Sequence, residues 1–250
     1  GADALGGAVN LVASGDRDGG SVGYQLGSFG VHRAAAHASV TPGPFRIAGA
    51  AWLDHATNRY PVEVEVADAT GALEPATVKR FHDAYTAAGA SLELGVVDLP
   101  WAERLTLRGF GGGFRREIQN NVVMTVPYGE PVATVGLGGG TLRYAVRPSR
   151  MLQIEAFASG SHTRRAFVDL GTCVIDWYGA CGRERPEPGE IVPGGVDQVQ
   201  QDTAIDGRAR VRLQPVEAHR IELAVSPSGF TRTGEDRLHD GNGPDALTAR

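Results

Sequence analysis

A period-two alternation of apolar and charged residues is the feature that most constrains the fold of this 250-residue chain. From Ile205 to Leu213, every odd position is small or aliphatic and every even position is Asp or Arg. Because successive side chains of a β-strand point to opposite faces, this segment predicts a strand with one apolar and one charged face. A similar run from Arg220 to Ser226 follows after the short segment QPVEAH, so the two runs predict a hairpin.

Seven segments upstream show the same strand-like pattern. They lie at positions 20–28, 31–40, 45–52, 90–96, 104–110, 141–147 and 152–159. The sequence therefore predicts an all-β, antiparallel chain with about nine strands after its opening segment. Only the segment EPATVKRFHDAYTAAG, at 74–89, hints at a helix, and we interpret it as a loop containing a turn.

The connections between the predicted strands fall into two length classes. Short turns that contain proline lie at 41–44, 97–103, 147–150 and 214–219. Long connections occupy about 57–80, 117–132 and 163–203. In an up-and-down meander, all these short turns lie at one end of the sheet and all the long loops at the other, as in outer-membrane barrels. The pattern predicts an up-and-down transmembrane β-barrel, with its N-terminal portion at 19–250, a charged face toward a wet lumen and an apolar face toward lipid.

Composition and motifs exclude several other classes of protein. No apolar run approaches the roughly 20 residues of a membrane-spanning helix. The net charge of −5 and the pI near 5.8 argue against a nucleic-acid partner. The glycine-rich segments 108–114 and 136–140 lack the lysine and the helix of a phosphate-binding loop, and no Gly-x-Ser-x-Gly motif is present. The seven histidines show no paired ligand spacing, so we predict no catalytic, cofactor-binding or metal-binding residues and no enzyme activity.

The opening stretch GADALGGAVNLV resembles the closing segment of the plug domain in TonB-dependent outer-membrane receptors. A Gly-x-x-Ala-x-Gly-Gly-x-x-Asn pattern precedes the first barrel strand in that family. The matching residues are Gly1, Ala4, Gly6, Gly7 and Asn10. Ala13 and Ser14 stand where the family often has a threonine and a basic residue. The resemblance implies that residues 1–18 end a plug domain and that the chain is a fragment of a larger receptor.

The resemblance also implies a function, partners and a location. Such a receptor binds a scarce solute, for example a metal–siderophore complex, on extracellular loops and imports it when TonB rearranges the plug. It needs no cofactor and no covalent chemistry. Its expected partners are outer-membrane lipid, the extracellular solute and TonB, which acts through the plug and a coupling box. Its expected location is the cell outer membrane of a Gram-negative bacterium.

Three groups of residues are candidates for special roles. Cys173 and Cys181 lie eight apart with no histidine near them, which predicts a structural disulfide and an oxidising compartment. Arginines where strands enter the long loops could attract an anionic ligand to the outer mouth or contact lipopolysaccharide phosphates. They are Arg115, Arg116, Arg164 and Arg165. Aromatic residues near strand ends could contribute to interfacial girdles; they are Tyr24, Trp52, Trp101, Tyr128 and Tyr144.

Two other functions stay open at this point. The chain could be a smaller, complete outer-membrane barrel or porin-like channel without a plug, for which an even number of strands would be expected. It could also be a secreted β-sandwich adhesin, although such a protein has no need for arginines at alternate positions of one strand.

Overall fold

The computed structural model describes residues 18–68, 70–216 and 218–238, and within these ranges the chain forms fourteen strands and one short 3-10 turn at Ser28–Gly30. The strands are β1 Gly19–Gly27, β2 Val31–Val40, β3 Phe45–Ala56, β4 Pro61–Ala67, β5 Leu73–Lys79, β6 Tyr85–Leu99, β7 Ala102–Glu117, β8 Val132–Ser149, β9 Leu152–Asp169, β10 Cys173–Ile175, β11 Cys181–Glu184, β12 Val196–Val216, β13 His219–Val225 and β14 Ser228–Asp236. The five residues of the predicted plug motif, Gly1, Ala4, Gly6, Gly7 and Asn10, lie outside the described residues.

One antiparallel sheet contains ten of these strands. Its order is β1-β2-β3-β6-β7-β8-β9-β12, and β13 and β14 both pair with the far side of β12. These last two strands occupy one position in the sheet, because β13 pairs with the second half of β12 and β14 pairs with the first half. Pro227 lies between β13 and β14 and has no N–H group to donate to β12. Its carbonyl oxygen still accepts a hydrogen bond from the Gly207 N–H of β12 at 2.8 Å. The sheet is thus a meander of nine positions, and each predicted strand segment lies in one of them.

The strands are longer than the sequence pattern predicts. Strands β6 to β9 have 15 to 18 residues and β12 has 21, whereas the apolar alternation marks only seven to nine residues of each. Some of the additional residues are polar, as at Arg164 and Arg165 in β9, and others are glycines, as at 111–113 in β7 and 138–140 in β8. Charged residues and glycines therefore end the apolar alternation without ending the strand, since pairing depends on the backbone.

The interpretation of 74–89 as a loop containing a turn is wrong. Residues Leu73–Lys79 form β5, which pairs with β4, and β6 begins at Tyr85. The pairing places Val78 opposite Val62 and Ala76 opposite Val64, so this hairpin has an apolar face of its own. The sequence alternation is weak in β5, because its apolar face contains only Ala76 and Val78 and Pro75 is uncommon within a strand.

The connections sort to the two ends of the sheet as the meander requires. Residues 57–84, 118–131 and 170–195 connect strands at one end, which we call the loop end, together with the brief turn at 28–30. Turns at 41–44, 100–101 and 150–151 connect strands at the other end, the turn end, where β12 ends at Val216 and β13 begins at His219. Among the described residues, β1 pairs only with β2, and β13 and β14 pair only with β12. The sheet therefore has two free edges and is not closed into a barrel.

Candidate functional site

The strand registers assign every side chain of the sheet to one of two faces, because residues directly opposite in an antiparallel pair share a face. One face, which we call the apolar face, carries aliphatic side chains across all nine strand positions. Its large side chains are exposed, with Leu107 at 61%, Ile205 at 62% and Leu223 at 68% of full accessibility. A continuous exposed apolar surface of this extent is unusual for a protein in water and indicates an apolar environment or partner.

The apolar face is a band of constant height. On β3 its small and apolar residues extend over Phe45–Leu53, on β6 over Ala88–Val96 and on β12 over Ile205–Leu213, nine residues in each case. Toward the loop end, the next residue on the same face is polar in each strand. These border residues are His55 on β3, Thr86 on β6, Arg115 on β7, His162 on β9 and Thr203 on β12. Nine strand residues span about 26 Å along the strand at about 3.3 Å per residue.

The border of this band crosses the sheet at an angle to the hydrogen-bonded rows. The row that begins at His55 passes through Thr86, Arg115, Thr134 and Ala166 and reaches β12 at Val199. The polar border on β12 lies at Thr203, four residues further along that strand. This offset is about 13 Å along the strand. The border stays in the row at Thr86 and Arg115 and has left it at His162 on β9, so the offset arises in the later strands. Averaged over the five strand spacings from β3 to β12, about 24 Å, it corresponds to an inclination of about 30° between the strands and the normal of the band.

The opposite face of the sheet, the polar face, carries the arginines of the alternating segments with acidic partners. Arg210 and Arg212 both contact Glu222 at 3.2 Å, and Arg210 also lies 3.7 Å from Glu155. On β3, the buried Arg46 contacts Glu93 at 3.0 Å. These pairs run across neighbouring strands, so the charges of these arginines are compensated within the sheet.

An aromatic depression of about 600 Å³ interrupts the charges of the polar face. Its lining includes aromatic side chains and two arginines: Trp52, Tyr85, Phe110, Phe114, Phe157, Arg108 and Arg143. Trp52 lies over Gly89, where a Cβ atom would come within 2.7 Å of the indole nitrogen. The glycine therefore makes room for the ring, which places Trp52 on the polar face and not in a girdle on the apolar face. Tyr24 and Tyr144 do lie on the apolar face, and Tyr128 is buried within a long connection.

The three long connections pack together at the loop end, and we call this assembly the cap. Its apolar core joins Val64 of β4 and Val78 of β5 to Trp177 of the connection 170–195. Met124 of the connection 118–131 packs against the same cluster. Residues from all three connections thus share one core, so the cap is a folded unit and not a set of separate loops.

Polar contacts lock the same three connections. The Arg80 guanidinium donates to Gln119 Oε1 at 3.2 Å and to Asn120 Oδ1 at 2.8 Å, which joins the first connection to the second. Glu190 Oε2 accepts from the backbone N–H groups of Gly129 and Glu130, both at 2.8 Å, which joins the third to the second. Asp169 is fully buried at the end of β9 and accepts hydrogen bonds from the three successive backbone N–H groups of residues 190–192. These bonds hold that part of the third connection against the end of β9.

The cysteines and arginines singled out in the sequence lie at the loop end. Cys173 and Cys181 form a disulfide that closes the β10–β11 hairpin in the cap. The four arginines lie near the loop ends of β7 and β9, but strand alternation divides them between the two faces. Arg115 and Arg164 share the face of the apolar band, and Arg116 and Arg165 lie on the polar face. The structure therefore does not bring all four together at one surface.

Sequence reasoning missed an ion-pair cluster on the polar face, on the loop side of the apolar band. Asp202 of β12 accepts from Arg232 of β14 at 2.7 Å and 3.1 Å, and it also accepts from Arg165 of β9. These hydrogen bonds, from Arg232 first and then Arg165, lower the pKa of Asp202 to about 2 although burial opposes them. The three residues lie on three adjacent strands and are far apart in the sequence, so no spacing of residues in the sequence predicts the cluster.

Replacing Trp177 by Ala tests the cap. We expect a loss of about 3 to 5 kcal/mol in the stability of the cap, because the indole fills its core. Limited proteolysis with mass spectrometry should then show faster cleavage within 57–84 and 118–131, while the far-ultraviolet circular dichroism of the sheet is retained. Tyr178→Ala is the matched control, since Tyr178 is 66% exposed. Equal cleavage rates in the two variants would contradict a shared core.

Replacing Asp202 by Asn tests the ion-pair cluster. The folded-state pKa lies below the unfolded value of about 3.9, so the cluster stabilises the fold above about pH 4 and its contribution is lost as the pH falls toward 2. We expect Asp202→Asn to lose about 1 kcal/mol at pH 7, because solvent screens the partly exposed arginines, and the difference from wild type to shrink near pH 2. Urea unfolding at both pH values measures this, with the exposed Asp206→Asn as control. A difference that persists unchanged at pH 2 would contradict the assignment.

Comparisons with known proteins give no family. No model of a known protein family matches the chain, and no curated protein sequence matches it. In the part of the chain that the structure describes, no helix is long and apolar enough to cross a membrane. Within the same ranges, no group of three or more His, Cys, Asp or Glu side chains is arranged to hold a metal ion.

Proposed function

We propose that this chain forms part of the wall of an outer-membrane β-barrel, in a TonB-dependent receptor that imports a scarce solute such as a metal–siderophore complex. The observation that carries the membrane assignment is the exposed apolar band of nine residues per strand. Its height normal to the band is about 23 Å after correction for an inclination of about 30°, close to the apolar band of about 25 Å in outer-membrane barrels. Those barrels use about 9 to 11 residues per crossing.

The polar face supports a lumen lining rather than a protein core. Arginine pairs such as Arg210–Glu222 remain partly exposed, with 30% and 38% of their side-chain surface accessible. In a β-sandwich adhesin, a second sheet would cover the apolar face and leave the charged face in water. Among the described residues, the two small sheets, β4–β5 and β10–β11, belong to the cap, and the apolar side chains of the main sheet stay exposed.

The cap supports a receptor with preorganised outer loops. In an outer-membrane barrel the long connections lie on the extracellular side and the short turns on the periplasmic side. The shared core around Trp177 and the bonds of Arg80 and Glu190 hold the three connections in one arrangement before any solute arrives. Preorganised loops lose less conformational entropy on binding than free loops do, which favours capture of a dilute solute.

The receptor assignment itself depends on the resemblance of GADALGGAVNLV to the end of a plug domain. The two free edges of the sheet agree with it, because unpaired strand edges are not tolerated in lipid and further strands must complete the wall. Large plugged transporters have 22 strands, and the sheet supplies nine strand positions toward such a barrel. A complete, small porin-like channel would need the same edges to pair with each other.

Uptake by cells tests the proposal. Strains with and without the gene for this protein, each with and without TonB, are grown under limitation with ferric siderophores, cobalamin or haem supplied in turn. We expect one of these solutes to support growth that requires both the gene and TonB, because import through a plugged barrel needs energy coupling. Gene-dependent growth that is equal without TonB would favour the porin-like channel. Recovery of the protein in the medium, with no effect on growth, would favour the adhesin.

A further inference from the structure

Two histidines lie side by side on the border of the apolar band. His32 of β2 and His55 of β3 are directly opposite in the strand register, although 23 positions separate them in the sequence. Their ring centroids are 6.3 Å apart and their planes are inclined by 33°. The His32 side chain is exposed and the His55 side chain is partly exposed. The pairing of β2 with β3 therefore creates a pair of imidazoles that no short sequence motif contains.

Each ring of the pair is anchored through the same nitrogen. His32 Nδ1 lies 2.8 Å from the Tyr24 hydroxyl on β1, and His55 Nδ1 lies 2.8 Å from Thr86 Oγ1 on β6. In the tautomer that carries the proton on Nδ1, each ring donates that hydrogen to its hydroxyl and keeps the lone pair of Nε2 free. Metal-binding histidines are oriented in this way by an oxygen acceptor on the second nitrogen.

The spacing of the rings suits a shared ion. Imidazole nitrogens bind transition-metal ions at about 2.0 to 2.1 Å, which places each ring centroid about 3.2 Å from the ion. Two such rings have centroids about 5.2 Å apart at the tetrahedral angle that Zn²⁺ prefers, and about 6.4 Å apart when the two nitrogens lie on opposite sides of the ion. The observed 6.3 Å suits the second arrangement, which occurs in square-planar Cu²⁺ sites. The nearby charged pair Arg33–Asp54 lies on the polar face and does not compete for the site, because both residues alternate with the histidines along their strands.

We propose that His32 and His55 form a surface site for a divalent transition-metal ion that binds imidazole in square-planar geometry, such as Cu²⁺ or Ni²⁺. The Nε2 atoms of the two rings are the protein ligands, water completes the coordination, and Tyr24 and Thr86 are positioning residues that hold the rings. The site requires only the pairing of β1, β2, β3 and β6, so it does not depend on the receptor function proposed above.

Copper binding by the purified, folded protein tests the site. Calorimetric titration with Cu²⁺ should show one site per chain, and electron paramagnetic resonance should show coupling to two imidazole nitrogens. We expect His32→Gln and His55→Gln each to weaken binding at least 10-fold and to leave coupling to a single nitrogen. Tyr24→Phe should keep both nitrogens and weaken binding about 10-fold, as loss of an orienting acceptor does.

His162→Gln is the matched control. His162 lies on the same face and is anchored in the same way, 3.0 Å from Thr203 Oγ1, but its cross-strand partners are Gly138 and Thr203. Its replacement should leave the affinity and the two-nitrogen signal unchanged. Coupling to one nitrogen in the wild type would overturn the proposal, as would equal losses of affinity in His162→Gln and His55→Gln. If a histidine variant fails to fold, the spectrum of the wild type and the copper affinity of Tyr24→Phe still test the proposal.

Discussion

The backbone hydrogen-bond ladder of the nine-position sheet is the constraint on which the other features depend. Because pairing is antiparallel throughout, the register alone decides which residues share a face and which end of the sheet each connection reaches. A slip of one residue in any strand would move its arginines onto the apolar face and its leucines onto the polar face. Tight glycine contacts resist such a slip, as at Gly95, where a Cβ atom would come within 2.2 Å of the Leu105 carbonyl oxygen.

The same ladder joins the two functional surfaces of the protein. It aligns nine-residue apolar segments into a tilted band, and it brings the three long connections to one end, where Trp177 can pack against Val64 and Val78. The inclination of the strands to the band is informative because it cannot be read from any single strand. It exists only as an offset of four residues between the polar borders of β3 and β12, and its average of about 30° lies a little below the roughly 35 to 45° typical of strands in barrels.

Sequence reasoning reached the features that local alternation encodes. The alternation from Ile205 to Leu213 predicts a strand with one apolar and one charged face, and the alternation of short turns and long loops predicts the meander. Features that depend on pairing between distant segments were out of reach. The hairpin partner of Leu73–Lys79, the core around Trp177, the Asp202 cluster and the His32–His55 pair all join residues whose proximity follows from register. The division of Arg115 and Arg116 between two faces follows from alternation but needed the true extent of β7.

The most direct test of the tilted membrane band is a nitroxide scan of the protein in lipid vesicles, from position 199 to 213 on β12 and at position 55 on β3. The band predicts that labels at odd positions from 205 to 213 collide with dissolved oxygen, while labels at even positions respond to a water-soluble nickel chelate. It also predicts equal depth for labels at 55 and 203. Equal depth for 55 and 199, or no alternation along β12, would contradict an inclined sheet with one face in lipid.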